Sequence, residues 1–262
     1  MKELDIAKEV ALKAGDLIMF YYKRDDLKIE DKGGYKENYL TEADKAVEKL
    51  IFKELTNEFP NYGFIGEETY NHKVIDKEFI WIVDPIDGTK GFVNQTDQFG
   101  VQIGLIKNNE PILGVIYLPV FKKLYWAVKD QGSYLNNKKI QVSKTNNLKK
   151  MNMWISPRAS YDKELNSYIE KIPAKKKFSV DSVATKATAI AEGTNDLTVF
   201  KPHASGEWDL CAPSIIIEEA GGKVTDFDNK PLKYNTGKKS PYNGILLSNN
   251  QIHEEILEIL NS

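Results

Sequence analysis

A chain of 262 residues with 41% hydrophobic and 28% charged residues can bury one large core or two modest ones, which excludes an intrinsically disordered protein. Its 36 basic and 38 acidic residues give a net charge of −2, so there is no global basic field for nucleic acid or an anionic membrane. One cysteine, Cys211, excludes an internal disulfide and a cysteine zinc cage, and with only three histidines any metal is expected on oxygen ligands.

The N-terminal "MKELDIAKEVALKAG" alternates charged and apolar residues without the apolar core of a signal peptide, and no run approaches membrane-spanning length. A cytoplasmic protein with no membrane partner is therefore expected. Leu4, Ala7, Val10, Ala11, Ala14, Leu17, Ile18 and Tyr21 recur at helical spacing and predict an opening amphipathic helix. The polar stretch "KIEDKGGYKENYL" reads as a loop or hairpin. Thr41 reads as the N-cap of a second helix with Val47, Leu50, Ile51 and Leu55 inside and Asp44 in its first turn. After "GFIGEET" come strand-like runs at 79–83, 100–106, 112–118 and 124–128, with turn signals at Asn108-Asn109, Pro119 and Asp130-Gln131-Gly132. This order predicts an antiparallel sheet with helices on one face. The polar "QVSKTNNLKK" reads as a joint, which divides the chain into an α+β domain at 1–147 and a smaller α/β domain at 148–262. In the second part strands and helices alternate. The lysine run 175–177 reads as a solvated face.

The stretch that carries chemistry is "WIVDPIDGTKGF", residues 81–92, where an apolar strand runs into two aspartates three residues apart. A plain turn accounts for Asp-Pro and Asp-Gly taken alone. Three further acidic positions change that: Glu67-Glu68 in "GFIGEET", Asp209 in "GEWDLCAPSIIIEEAGG", and Asp44 in "LTEAD". Hard divalent cations take several oxygen ligands, and carboxylates lifted from separate strand ends and helix starts would supply them. A turn locked by Pro85 would present Asp84, the Ile86 carbonyl and Asp87 on one side, with Gly88 and Thr89 opening a short helix able to meet a phosphate.

"DPIDGTKGF", "FIGEET" and "WDLCAPSIIIEEAGGKVTD" resemble, in order and spacing over nearly the whole chain, the three motifs of the lithium-sensitive, Mg²⁺-dependent phosphatase superfamily. That superfamily includes inositol monophosphatases, fructose-1,6-bisphosphatases and 3′(2′),5′-bisphosphate nucleotidases. The lysine after the threonine in "DGTK" and the "WDLCAP" version of the third motif are closest to the nucleotidases. The resemblance implies an α+β fold, a layered αβαβα sandwich of the inositol monophosphatase type. It also implies phosphomonoesterase activity with two or three Mg²⁺ ions, inhibition by Li⁺, a small-molecule phosphate ester as partner, and room for a homodimer.

Residue by residue, the resemblance implies that Glu67, Asp84 and the Ile86 carbonyl hold the ion that activates water. Asp84, Asp87 and Asp209 hold a second, and Glu67 reaches a third. Thr89, positioned by Asp44, orients the water; Gly88 and Thr89 meet the phosphate through their backbone; Glu68 stands behind the ligands. Lys186 matches the nucleotidase lysine for a second phosphate, assisted by Arg158, with a solvated lysine at a strand start as the plain reading. The chain departs from the nucleotidases at Ser156-Pro157-Arg158-Ala159-Ser160, which has no histidine, at Ser182, where the small polar residues are shifted, and in the early loop, where Lys32 and Lys36 both fit the basic position. The expected substrate is 3′-phosphoadenosine 5′-phosphate. An inositol, sugar or other polyol phosphate comes second, histidinol phosphate is more distant, and a non-catalytic metal- and phosphate-binding protein is the reading from another class.

Overall fold

The computed structural model describes residues 1–24, 26–31, 33 and 39–262, apart from the side chains of 176–178. Lys32 and Lys36, and with them the early-loop basic position, lie outside the described residues. Helix α1 (Lys2–Tyr22) buries Leu4, Ala7, Val10, Ala11, Ala14 and Ile18, the predicted stripe. The expected hairpin is a short antiparallel pair, β1 (Ile29–Asp31) with β2 (Tyr39–Thr41). Helix α2 (Glu42–Glu58) starts in a capping box: the Thr41 hydroxyl accepts from the Ala43 N–H at 3.1 Å, and Asp44 Oδ2 accepts from the Thr41 N–H at 2.7 Å.

Strands β3 (Gly63–Gly66) and β4 (Phe79–Asp87) follow, then a short helix α3 (Thr89–Val93). Strands β5 (Gly100–Lys107), β6 (Glu110–Leu118), β7 (Lys123–Val128), β8 (Gly132–Leu135) and β9 (Lys138–Ile140) complete a seven-stranded sheet in chain order. Only β3 and β4 run parallel; the later pairs are antiparallel. In the second half come β10 (Asn152–Ile155), α4 (Lys163–Lys171), β11 (Lys175–Ser179), α5 (Val183–Ala191), β12 (Leu197–Phe200), α6 (Cys211–Glu219), β13 (Lys223–Thr225), β14 (Ile245–Ser248) and α7 (His253–Asn261). They form a five-stranded mixed sheet, β11-β10-β12-β14-β13, and its helices. The lysine run begins β11, an edge strand of this sheet; the side chains of 176 and 177, on which the solvated-face reading depends, lie outside the described residues.

The seven-stranded sheet is covered on both faces, not one. Trp81, Val83, Ile103 and Val115 pack with α1 and α2, whereas Ile80, Ile82, Ile106 and Ile116 pack with α5 and α6. Both side-chain parities of these strands are apolar, which is the composition of a sheet buried on two sides. Helices α5 and α6 are shared with the second sheet through Phe200, Val224, Ile245 and Leu247. On the far side of that sheet, α4 and α7 pack over Met153, Leu197, Val199 and Leu246. The layers run αβαβα. Among the described residues, no helix is long and apolar enough to cross a membrane.

Helix α6 sits close on β5 and β6. A Cβ on Gly104 would run into Cys211, and one on Gly114 would lie 2.7 Å from the Ala212 carbonyl oxygen. Two glycines therefore set the height of the helix that follows Asp209. Gly114→Ala must push backbone against backbone, and its unfolding free energy should fall by about 1–3 kcal/mol, the usual cost of overpacking. Urea denaturation measures this; an unchanged midpoint would contradict the packing.

Candidate active site

A strand alternates faces, so residues three apart, such as Asp84 and Asp87, should point opposite ways. The expected turn is absent, and β4 continues through Asp-Pro-Ile-Asp with a bulge. Asp84 pairs with Gln102 and Asp87 with Gly100, so three steps on β4 oppose two on β5. The extra residue returns both carboxylates to one side. Pro85 sits within the bulge, where its missing N–H costs least. Gly88 follows at φ +85°, a left-handed conformation that suits glycine, and starts α3.

Asp209 does not itself open the helix but arrives from the turn before α6, two residues ahead of its first residue Cys211, with Oδ2 held by the Gly206 N–H at 2.6 Å. Carboxylate oxygens of Asp84, Asp87 and Asp209 lie within 4.8 Å of one another. Asp84 is 1% exposed and Asp87 4%. Asp87 is tied to the N-terminus of α5: the Val183 N–H donates to Oδ1 at 3.0 Å, the Ala184 N–H to Oδ2 at 2.8 Å, and the Ser182 hydroxyl also to Oδ2. Asp84 Oδ1 is buried with no hydrogen-bond partner among the described residues.

Burial, then the charges of Glu67, Asp87 and Asp209, push the Asp84 carboxyl well above the usual range. Burial raises Asp87 to about 6, against the opposing pull of Ser182, the α5 amides and Lys186. Asp209 is raised to about 7 by burial and by Glu67 and Asp87. An all-carboxylate set that repels itself and has an unpartnered oxygen fits a hard divalent cation. Glu67 borders the same cavity but stands outside the tight group of three.

Thr89 Oγ1 lies 3.2 Å from Asp44 Oδ1 and 3.0 Å from the Ile86 carbonyl oxygen. Asp44 is fully buried, and its Oδ2 accepts from the Thr41 N–H and, at 2.6 Å, from the Thr41 hydroxyl. Gly88, Thr89, Arg158 and Lys186 all border the cavity. Lys186 differs from its plain sequence reading: it lies inside α5, not at a strand start, and is 1% exposed. Its Nζ donates to the carbonyls of Val180 at 3.1 Å and Asp181 at 3.4 Å. Burial lowers its pKa to about 8, with Asp181 and Asp87 opposing the shift.

Sequence reasoning missed three contributors, Asp181, Asp162 and Lys201, and named Ser182 without its role. Ser182 caps α5 and grips Asp87; the helical period from Val183 onward could have revealed it. Asp181 borders the cavity with Oδ2 buried and without a partner among the described residues, and its Oδ1 lies 3.8 Å from Arg158 Nε. Asp162, the N-cap of α4 and legible as a helix start, forms a 2.8 Å ion pair with Lys201 beside the cavity; no local pattern marks that pairing.

A model of the inositol monophosphatase family matches residues 1–262. Inositol monophosphatase 2 of Solanum lycopersicum is 37% identical over 85% of this chain and 86% of its own length. A 3′(2′),5′-bisphosphate nucleotidase of Haemophilus influenzae is 31% identical over 86% of this chain and 85% of its own. Among solved structures, an IMPase of Thermotoga maritima superposes with a TM-score of 0.87 at 29% identity, covering 100% of this chain and 97% of that one.

The raised carboxyls set a pH dependence. A folded-state pKa above the unfolded value means the folded state holds protons that the unfolded chain releases, so stability falls as pH rises from about 4 to about 7. Asp84→Asn removes one charge with little change of shape. Without metal, this variant should match the parent near pH 4 and exceed it by about 1–3 kcal/mol at pH 8. Thermal melts across pH measure the gap, which saturating Mg²⁺ should close or reverse. A gap independent of pH would contradict the account of mutual repulsion.

Proposed function

The chain belongs to the inositol monophosphatase family and is a metal-dependent phosphatase, and from that premise we propose that it hydrolyses the phosphate monoester of a polyol or sugar, with Mg²⁺ held at the Asp84–Asp87–Asp209 cluster. The observation that carries this reading is a buried carboxylate triad opening on a cavity that also presents Thr89. Glu67 and the Ile86 carbonyl complete the oxygen set around it. When bound, divalent cations lower the pKa of water and neutralise charge on the phosphoryl oxygens.

The remaining chemistry is positional. The Thr89 hydroxyl proton has two acceptors, Asp44 Oδ1 and the Ile86 carbonyl, which leaves its lone pairs to accept a hydrogen bond from the attacking water and fix its direction. Asp44 holds that direction because its other oxygen is locked by Thr41. Asp87 is held by α5 and Asp209 by Gly206, so the cluster is built before substrate arrives.

The Lys186 side of the cavity supports the substrate class. A second phosphate needs a cation with hydrogens facing it. Lys186 directs its ammonium at two backbone carbonyls, and Asp181 adds a carboxylate to the same wall. Such a wall favours a hydroxyl-bearing group over a second anion. The bisphosphate nucleotide, ranked first from sequence, becomes the second reading; Lys186 and Arg158 both bordering the cavity is the observation in its favour.

Phosphate release from inositol monophosphate, a hexose phosphate and 3′-phosphoadenosine 5′-phosphate tests the choice. The polyol or sugar ester should lead in kcat/KM by about tenfold or more. A preference for the nucleotide that Lys186→Ala abolishes selectively would establish the second reading instead. All activity should vanish on metal stripping and return with Mg²⁺; full turnover in excess chelator would contradict the reading. Thr89→Ala should lower kcat by about 10²–10⁴ with little change in KM, as loss of proton positioning does. Wild-type kcat in that variant would remove Thr89 from the water.

A further inference from the structure

Helix α2 carries a second buried carboxylate one turn beyond Asp44. Glu48 is 2% exposed and four residues on, so the two acids share a face of the helix. Asp44 reaches Thr89; Glu48 reaches the chain that leaves β3, its Oε2 accepting from the Glu68 N–H at 2.8 Å. Room for that contact is made at Gly66, where a Cβ would lie 2.5 Å from Glu48 Cδ. On the other side of Glu67, its own N–H donates to the Val83 carbonyl at 3.1 Å, one residue before Asp84. Two consecutive amides are thus fixed, one to β4 and one to α2, with Glu67 between them. The loop that carries Glu67 is therefore tied on both sides of it.

We propose that Glu48 is a positioning residue: by accepting the Glu68 N–H it sets where Glu67 stands beside Asp84, and so sets the affinity of the cluster for a divalent cation. The turnover readout rests on the phosphatase reading; the binding readout does not. Removing a group that orients a metal ligand typically weakens metal binding by about 10–100-fold. A buried glutamate that merely supports α2 would change stability and leave cation affinity alone.

The experiment compares wild type, Glu48→Gln, Glu48→Ala and Gly66→Ala at pH 8. Calorimetric titration with Mg²⁺ gives affinity, melting without metal reports folding, and turnover against Mg²⁺ gives the half-activating concentration. Glu48→Gln keeps an oxygen for the Glu68 N–H and should bind Mg²⁺ within about threefold of wild type. Glu48→Ala should weaken binding by about tenfold or more and raise the half-activating concentration in parallel, with KM at saturating Mg²⁺ unchanged. Gly66→Ala keeps the carboxylate but displaces it, and should weaken binding likewise; it decides the matter if Glu48→Ala does not fold. Wild-type affinity in the folded Glu48→Ala or Gly66→Ala variant overturns the proposal, as does equal loss in Glu48→Gln and Glu48→Ala. Wild type that binds Mg²⁺ but releases no phosphate from any ester sinks the phosphatase reading and leaves the calorimetric comparison to judge Glu48. Wild type that binds no Mg²⁺ overturns both.

Discussion

Burying three carboxylates with oxygens within 4.8 Å of one another is unfavourable by itself, and the rest of the structure is arranged around that cost. A pair of unit charges about 4 Å apart repels by roughly 4 kcal/mol at an effective dielectric near 20. Repulsion among three such groups rivals the 5–15 kcal/mol or so by which a whole domain is stable. The cluster therefore has two ways to persist. It holds protons, as the raised Asp87 and Asp209 carboxyls show, or it holds cations.

Each carboxylate is pinned by a different layer, and that is why the site needs the whole sandwich. Asp84 and Asp87 stand at the end of β4, brought to one side by a single inserted residue. Asp87 is gripped by α5 and Asp209 enters ahead of α6, the two helices packed between the sheets. From the opposite face, α2 sends Asp44 to Thr89 and Glu48 to the loop bearing Glu67. Glycine spacers let α6 sit close on β5 and β6, so the height of Asp209 is a packing property as much as a local one.

Much of this was legible in the chain, and the failures have physical causes. Asp44, Glu67, Asp84, Asp87 and Asp209 each have an ordinary turn or helix-start reading alone and gain meaning together, as an oxygen ligand set within three motifs of the phosphatase superfamily, and they border or support one cavity. The bulge was not legible: Asp-Pro-Ile-Asp has turn chemistry, and only the partner strand reveals that β4 continues with one residue to spare. Helices on the second face of the large sheet were signalled by "FIWIV", apolar at both parities, and were overlooked because the shared helices come a hundred residues later. The plain reading of Lys186 as a solvated lysine fails because in α5 its neighbours Ala184, Ala187 and Ile190 are buried, and it is carried inward with them. Strand β11 was hidden by lysines that mark an edge as readily as a loop.

The central claim is that Asp84, Asp87 and Asp209 form a divalent-cation site. The direct measurement is anomalous scattering from crystals grown at pH 8 and soaked in Mn²⁺. The account expects at least one strong anomalous peak about 2.0–2.3 Å from oxygens of all three aspartates, as hard-cation coordination requires. Ordered density for the three side chains with no anomalous peak among them would contradict it.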